Sequence, residues 1–206
     1  MRIPRIYHLV LLVIVLAVLI WSGINPVDRG DWWLEVMPFL IGAPFIFFTY
    51  RRFPLSNLMY TLIAIHTIIL AYGGHTTYAL APLGFKMEQW FGWTRNNYDK
   101  IGHLAQGFFP FIYVREILSR TSPLTRGKWL VFISISVPLA LSAIYEIIEW
   151  QVAIHSSVGE AFLGTQGYIW DTQSDMFLAM VGAILGWILL TKWHNKSMEM
   201  VQVHSD

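Results

Sequence analysis

Three short stretches of the chain each carry two side chains capable of acid–base or metal chemistry, at helical spacing. The pairs are Asp99 with His103, Glu146 with Glu149, and Asp171 with Asp175. Residues three or four apart lie on one face of a helix. Carboxylates and an imidazole that meet at one place can bind a divalent cation or transfer protons. The elements that carry the pairs decide whether they meet.

The composition predicts that these elements are membrane helices. Hydrophobic residues make up 55% of the 206 residues and charged residues only 13%, and the mean hydropathy is +0.50. The formal net charge of +1 and the scattered basic residues give no reason to expect nucleic acid as a partner. The chain has no cysteine, which excludes disulfides, thiolate metal sites and cysteine nucleophiles.

Six apolar runs are long enough, or nearly so, to cross a bilayer, which needs about 20 helical residues. They cover roughly residues 7–24, 34–50, 57–74, 100–118, 129–150 and 173–192. No internal repeat or change in composition marks a second domain. We therefore predict an all-α fold, a polytopic membrane helix bundle of about six transmembrane helices, which forms a single integral membrane domain over residues 1–206.

The positions of lysine and arginine predict the orientation, because cytoplasmic loops carry an excess of these residues. With the N-terminus inside, ten basic residues fall on the inner side and four on the outer side. The inner ones are Arg2, Arg5, Arg51, Arg52, Arg115, Arg120, Arg126, Lys128, Lys192 and Lys196; the outer ones are Arg29, Lys86, Arg95 and Lys100. Both termini are therefore expected in the cytoplasm.

This topology places all three pairs at the outer end of the bundle. The fourth helix runs inward from Asp99, and the fifth runs outward to Glu149. The sixth helix runs inward from Asp171, so the acids of three segments share one depth. We expect no strong polar group of these segments at the cytoplasmic end. The aromatic outer loop, about residues 75–99, is expected to lie at the interface or to cover a cavity.

The five acids at this end exceed the nearby fixed cations, which are Lys100 and Arg95. An acidic residue costs roughly 2.5 to 3.5 kcal/mol at the centre of a spanning helix, so protonation, water or a bound cation must compensate. A divalent metal is the most economical explanation, and oxygen ligands with one imidazole favour Mn, Mg, Ca or Fe, with Zn left open. The candidate metal ligands are His103, Glu146, Glu149, Asp171 and Asp175.

Some of these residues also have a purely structural interpretation. Asp99 and Asp171 could cap the helices that they begin, and His103 could form a settled pair with Asp99. Glu146 and Glu149 fit such an interpretation less well, because acids near a helix C-terminus oppose the helix dipole.

The last helix shows small residues on the face that carries its acids. Below Asp171 and Asp175, this face continues through Ala179, Gly182 and Gly186. Small residues allow a neighbouring helix to approach closely. We therefore expect the acids of this helix to point into the bundle.

The motifs together resemble the YjdF family of uncharacterised bacterial inner-membrane proteins. They are Tyr98-Asp99-Lys100-x-x-His103, Tyr145-Glu146-x-x-Glu149-Trp150 and Gly167-Tyr168-x-Trp170-Asp171-Thr172-Gln173-x-Asp175-Met176. More distantly the chain is similar to the VanZ-like family, in its Asp-Lys-x-x-His motif and in Asp175 followed by Gly182 and Gly186. It departs from that family at Glu149 and Ala179, where glutamine and asparagine are expected. The resemblance implies a multi-pass protein of the bacterial inner membrane without an established reaction.

Our first functional hypothesis is a metal-assisted hydrolase or transferase that acts on a lipid or lipid-linked envelope substrate from the outer leaflet. His103, Asp99 and Glu146 are its candidate catalytic residues; His103 would be the general acid or base, or a ligand, and Asp99 would fix its tautomer. Two alternatives stay open, a small proton- or cation-coupled transporter and a structural membrane protein without catalysis. The expected partners are membrane lipids and a lipid-linked substrate, and the oligomeric state is left open.

Overall fold

The computed structural model describes residues 6–124, 127–155 and 165–202, and these ranges contain seven helices and no strand. The helices are α1 (Ile6–Gly23), α2 (Arg29–Thr49), α3 (Asn57–Thr76), α4 (Pro82–Phe91), α5 (Tyr98–Thr121), α6 (Lys128–His155) and α7 (Asp171–Gln202). Helices α1, α2, α3, α6 and α7 are long and apolar enough to cross a membrane. The all-α, polytopic fold expected from the sequence is confirmed.

Helix α5 overlaps the fourth predicted span but differs from the five candidate spans in composition. It carries charged residues near both of its ends, namely Asp99, Lys100, Arg115, Glu116 and Arg120. Helices α3, α6 and α7 all pack against α5, so it occupies the centre of the bundle. A central helix is shielded from lipid by its neighbours, and it can therefore carry polar groups that a lipid-facing helix could not.

Helices α5 and α7 are in especially close contact. A Cβ atom added at Gly182 would collide with the carbonyl oxygen of Leu104, and one added at Gly107 would collide with that of Ala179. The small residues on one face of the last helix therefore allow the two backbones to touch, as the sequence predicted. This contact brings the N-terminal turns of α5 and α7, which carry the predicted acids, side by side.

The aromatic outer loop contains the short helix α4. This helix begins at Pro82, a favoured first position, and Gly92 caps its C-terminus with a left-handed φ of 66°. Phe85, Trp90 and Phe91 are exposed. Exposed aromatic side chains on a short helix are typical of a segment at the membrane interface.

The bundle has two polar ends, each with hydrogen bonds between different segments of the chain. At one end the N–H of Val27 donates to the carbonyl of His75, and α2, α5 and α7 begin; we call this the acidic end. At the opposite end α2, α5 and α7 finish. The expected orientation would turn the acidic end outward. Three of the basic residues from which the orientation was predicted lie outside the described residues, namely Arg2, Arg5 and Arg126.

A buried polar network occupies the opposite end. The Glu116 carboxylate accepts hydrogen bonds from the backbone N–H of Ser56 at 2.7 Å, from His194 Nε2 at 2.9 Å and from Arg120 Nη1 at 2.9 Å. Arg115 contacts the other ring nitrogen of His194 at 2.6 Å. The prediction that the segments of the three pairs place no strong polar group at this end is therefore wrong, because Glu116 of α5 pairs there with His194 of α7.

Candidate functional site

His103 lies at the centre of the acidic end, surrounded by acids from α5, α6 and α7. Its Nε2 atom is 3.2 Å from Asp99 Oδ1, 3.9 Å from Glu146 Oε1 and 4.0 Å from Asp175 Oδ2. His103, Glu146 and Asp175 are buried. Residues that are distant in the sequence thus meet at one imidazole, since the close packing of α5 and α7 aligns their first turns.

Two overlapping groups of side chains have a spacing suited to a metal ion. The first contains Asp99, His103 and Asp175, and the second contains His103, Glu146 and Glu149. Within each group the ligand atoms lie within 4.8 Å of one another. Both groups combine carboxylate oxygens with one ring nitrogen, a set that suits Mn, Fe or Zn, and also Mg or Ca where oxygens predominate.

Asp171 belongs to neither group, because the two nearby cations engage it. Its Oδ1 accepts hydrogen bonds from Arg95 Nη2 and from Lys100 Nζ, each at 2.7 Å. Lys100 also donates to Asp175 Oδ1 at 2.6 Å, which leaves Asp175 Oδ2 to face His103. Lys100 therefore joins α5 to α7 and fixes the orientation of the Asp175 carboxylate.

The capping interpretation of Asp99 does not match its contacts. The N-cap of α5 is Asn97, two residues before Asp99. The Asp99 carboxylate instead lies against His103 and at 3.5 Å from Lys100 Nζ. Asp99 therefore contributes to the cluster and is not the N-cap of α5.

Two carboxylate oxygens at the cluster are buried without a hydrogen-bond partner among the described residues. They are Glu146 Oε1 and Asp99 Oδ2, and the second of these lies in an ion pair at 3.5 Å from Lys100 Nζ. Buried polar atoms in proteins are nearly always hydrogen-bonded, and an unpaired carboxylate oxygen is costly. Glu146 Oε1 is the atom that faces His103 Nε2, so a cation between these two groups would satisfy it.

Gln106 is a member of the cluster that the sequence analysis missed. Its Oε1 atom lies 3.1 Å from Nδ1 of His103 and accepts a hydrogen bond from the Nδ1–H group. The Nε2 atom is then directed at the carboxylates. Metal-binding histidines commonly donate their second ring N–H in this way, which fixes the tautomer. The spacing of three residues from His103 is the signal that could have found Gln106.

A cavity of about 350 Å³ adjoins the cluster. Asp99, His103, Glu149 and Asp175 line its polar part. Apolar side chains form much of the remaining wall, among them Met37, Ile41, Leu70, Leu141 and Ile144. The cavity therefore has one acidic and one apolar region, which matches a molecule with a polar head and an apolar tail.

Helix α2 adds a further pair of acids that the sequence analysis did not include in the site. Asp31 and Glu35 are buried and line the cavity. The Glu35 carboxylate interacts with the hydroxyl of Tyr78. Burial raises the pKa of Tyr78 well above its ordinary value, and the charge of Glu35 raises it further, so this hydroxyl stays a neutral donor. The spacing of four residues between Asp31 and Glu35 could have identified the pair.

The cavity lies between α2 and α6, which make little contact with each other. Among the described residues α2 packs chiefly against α3, and α6 packs against α5 and α7. The two helices meet where the Tyr145 hydroxyl donates to the carbonyl of Leu34 at 3.3 Å. Ile41, Leu141 and Ile144 line the cavity and are also exposed, so the cavity borders the lipid-facing surface of the bundle.

Comparison with known proteins identifies the family. The model of a family described as "Predicted membrane protein (DUF2238)" matches residues 7–196. The chain is 47% identical over 178 residues to the inner membrane protein YjdF of Escherichia coli (strain K12), an alignment that covers 86% of this chain and 85% of that protein. No solved structure matches the chain. The chain therefore belongs to the DUF2238 family of membrane proteins, as the resemblance to YjdF indicated, and is a multi-pass protein of the bacterial inner membrane.

Proposed function

We propose that this protein is a metal-dependent hydrolase or transferase that acts on a lipid or a lipid-linked envelope substrate. The observation that carries the proposal is the contact of His103 Nε2 with carboxylates from three helices, next to a cavity that borders the lipid-facing surface. A cluster without a ligand role would be expected to satisfy its own hydrogen bonds. Here Glu146 Oε1 has no such bond among the described residues.

The charge balance supports a bound cation. Arg95 and Lys100 are engaged by Asp171, and Lys100 also by Asp175. Glu146 and Glu149 form no ion pair with a lysine or an arginine in the described part of the chain. In the described ranges, these two buried acids therefore face one imidazole without a lysine or arginine as counter-charge, and a divalent cation would supply that charge.

The residues of the cluster divide into three roles under this proposal. Glu146, Glu149, Asp175 and His103 would hold the cation, which would activate a water molecule or polarise a phosphoryl or carbonyl oxygen. Asp99, at 3.2 Å from His103 Nε2, would accept or return a proton. Asp171 would not bind the metal ion. It would hold the ammonium group of Lys100, which orients Asp175.

The cavity supports an amphiphilic substrate. Its acidic part would place a polar headgroup at the cation, and its apolar wall would contact an acyl or isoprenoid chain. The weak contact between α2 and α6 would allow such a molecule to enter from the bilayer. With the expected orientation, entry would be from the outer leaflet.

The proposal is tested by comparing cells that lack the gene with cells complemented by the wild type, by Glu146→Gln or by the control Glu88→Gln. Glu88 is an acid on α4, outside the cluster. Profiling of lipids and lipid-linked peptidoglycan precursors by mass spectrometry should show one species that accumulates in the deletion strain. The wild type and the control should remove it, and Glu146→Gln should not. Equal profiles in all four strains would contradict the proposal.

A proton- or cation-coupled transporter is the second candidate, and His66 is the observation that favours it. His66 lies near the middle of α3 and lines the same cavity as Glu149. Its Nε2 atom is buried without a hydrogen-bond partner in the described part of the structure. Titratable groups that continue from one end toward mid-membrane are typical of proton paths. Proton-coupled flux into liposomes that is lost in His66→Phe would favour transport.

A further inference from the structure

A second cavity, of about 810 Å³, lies near the opposite end of the bundle between α1, α2 and α3. Helices α1 and α2 both pack against α3 but make little contact with each other, so a groove remains between them. Its walls are mainly apolar and include Leu12, Val15, Ala43, Ile46 and Ile63. It shares no lining residue with the cavity at the acidic end.

Two arginines lie at the mouth of this groove. Arg51 and Arg52 line the cavity, lie in the turn after the end of α2 and are exposed. Neither forms an ion pair with an acid among the described residues. The carboxylate of Glu116, a buried acid at this end, is already bound by Ser56, His194 and Arg120.

Hydrogen bonds between the three helices fix the mouth of the groove. His8 Nδ1 lies 2.6 Å from the Tyr50 hydroxyl, and His8 Nε2 lies 3.0 Å from Asn57 Oδ1. These contacts join the first turns of α1 and α3 to the end of α2. Tyr50 and Tyr60 line the groove beside the arginines. The mouth is therefore a preformed polar entrance to an apolar groove.

We propose that this groove binds one anionic phospholipid of the surrounding membrane. The headgroup phosphate would lie at Arg51 and Arg52, and an acyl chain would lie between α1 and α2. Basic pockets between transmembrane helices are typical sites for anionic headgroups, and an apolar groove open to the bilayer suits an acyl chain. A neutral lipid would leave the two arginines without a counter-charge. This inference does not depend on the proposed catalytic function.

The test is native mass spectrometry of the full-length protein in detergent, titrated with phosphatidylglycerol or with zwitterionic phosphatidylethanolamine. We expect one phosphatidylglycerol per chain and much weaker binding of phosphatidylethanolamine. Each basic residue near a membrane surface contributes roughly fivefold to the binding of an anionic lipid, so the variant Arg51→Gln/Arg52→Gln should bind roughly 30-fold more weakly. The variant Arg51→Lys/Arg52→Lys should retain most of the binding.

Two further variants distinguish lipid binding in the groove from attraction of the lipid by general surface charge. Lys192→Gln/Lys196→Gln removes two exposed cations from α7 at the same end of the bundle as Arg51 and Arg52. This variant should bind phosphatidylglycerol like the wild type. Ala43→Phe fills the groove without changing the charge and should weaken binding. The proposal is overturned if the double glutamine variant at Arg51 and Arg52 binds like the wild type, if the α7 variant loses as much binding, or if millimolar inorganic phosphate displaces the lipid.

Discussion

The Oε1 atom of Glu146 lies 3.9 Å from the Nε2 atom of His103, buried and without a hydrogen-bond partner among the described residues. This distance is too long for a hydrogen bond and is compatible with two ligands of one cation, whose bonds to nitrogen and oxygen are each about 2.1 Å long. The pair connects α5 to α6, and the other acids of the site lie around it.

Replacing Glu146 by glutamine should weaken metal binding with little effect on folding. The amide keeps the shape of the side chain but removes the charge that a cation requires. We expect the affinity for Mn²⁺ to fall at least roughly tenfold, the lower end of the loss caused by changes around metal ligands. Isothermal titration calorimetry of purified protein measures this. Glu88→Gln, which removes an acid from α4, should leave the affinity unchanged; an equal loss in both variants would argue against a site at Glu146.

Gln106 should influence metal binding through His103 alone. In Gln106→Leu the Nδ1 proton loses its acceptor, so the ring is free to rotate and to change tautomer. We expect roughly a 10- to 100-fold loss of Mn²⁺ affinity with an unchanged stoichiometry. Gln151→Leu, an exposed position on α6, is the matched control. Wild-type affinity in Gln106→Leu would show that this contact does not orient the ring.

Lys100 should contribute mainly to stability. Its ammonium group pairs with Asp171 and Asp175 across the α5–α7 contact, and removing one partner of a buried pair leaves unbalanced charge. We expect Lys100→Met to lower the free energy of unfolding by about 2 to 3 kcal/mol, less than for a fully buried pair because Lys100 is partly exposed.

Denaturant titration in detergent micelles measures the loss in Lys100→Met, and Lys86→Met on α4 is the exposed control. Adding Asp175→Asn to Lys100→Met should restore part of the stability, because it removes the unpaired acid. A double variant that loses the sum of the two single effects would contradict the pairing.

The close contact of α5 and α7 should not tolerate even one methyl group. A Cβ atom at Gly182 meets the backbone of α5 at Leu104, which no side-chain movement can relieve. We expect Gly182→Ala to cost about 1 to 3 kcal/mol and to lower metal affinity, since both helices carry ligands. At Gly42 nothing lies within 4 Å of an added Cβ, so Gly42→Ala should be neutral or slightly stabilising. Equal melting temperatures of the two variants would refute the contact.

Much of the fold followed from the sequence, because apolar runs and helical spacing are local properties. Asp99 and His103 could be assigned to one helix face, and the small residues through Gly182 correctly indicated a close helix contact. The polar character of the central helix α5 was less apparent, because an apolar run with charged residues near both ends has the pattern of an ordinary membrane span.

The parts that escaped prediction depend on which helices become neighbours. The contact between Glu116 and His194 joins residues that each look like an ordinary polar residue near a helix end. Asp31 and Glu35 enter the cavity because α2 lies beside α3 and across from α6. Periodicity gives the face of each helix, but the order of helices around the bundle comes from packing between distant segments.

The most direct test for a metal ion at His103 is electron paramagnetic resonance of the full-length protein titrated with Mn²⁺ in detergent. We expect saturable binding of manganese at the acidic end, with a nitrogen hyperfine coupling from the His103 ring. This coupling should disappear in His103→Gln and persist in His155→Gln, a histidine at the exposed end of α6. If the wild type shows no saturable Mn²⁺ binding, or if the nitrogen coupling survives in His103→Gln, the acidic end is not a metal site with His103 as a ligand.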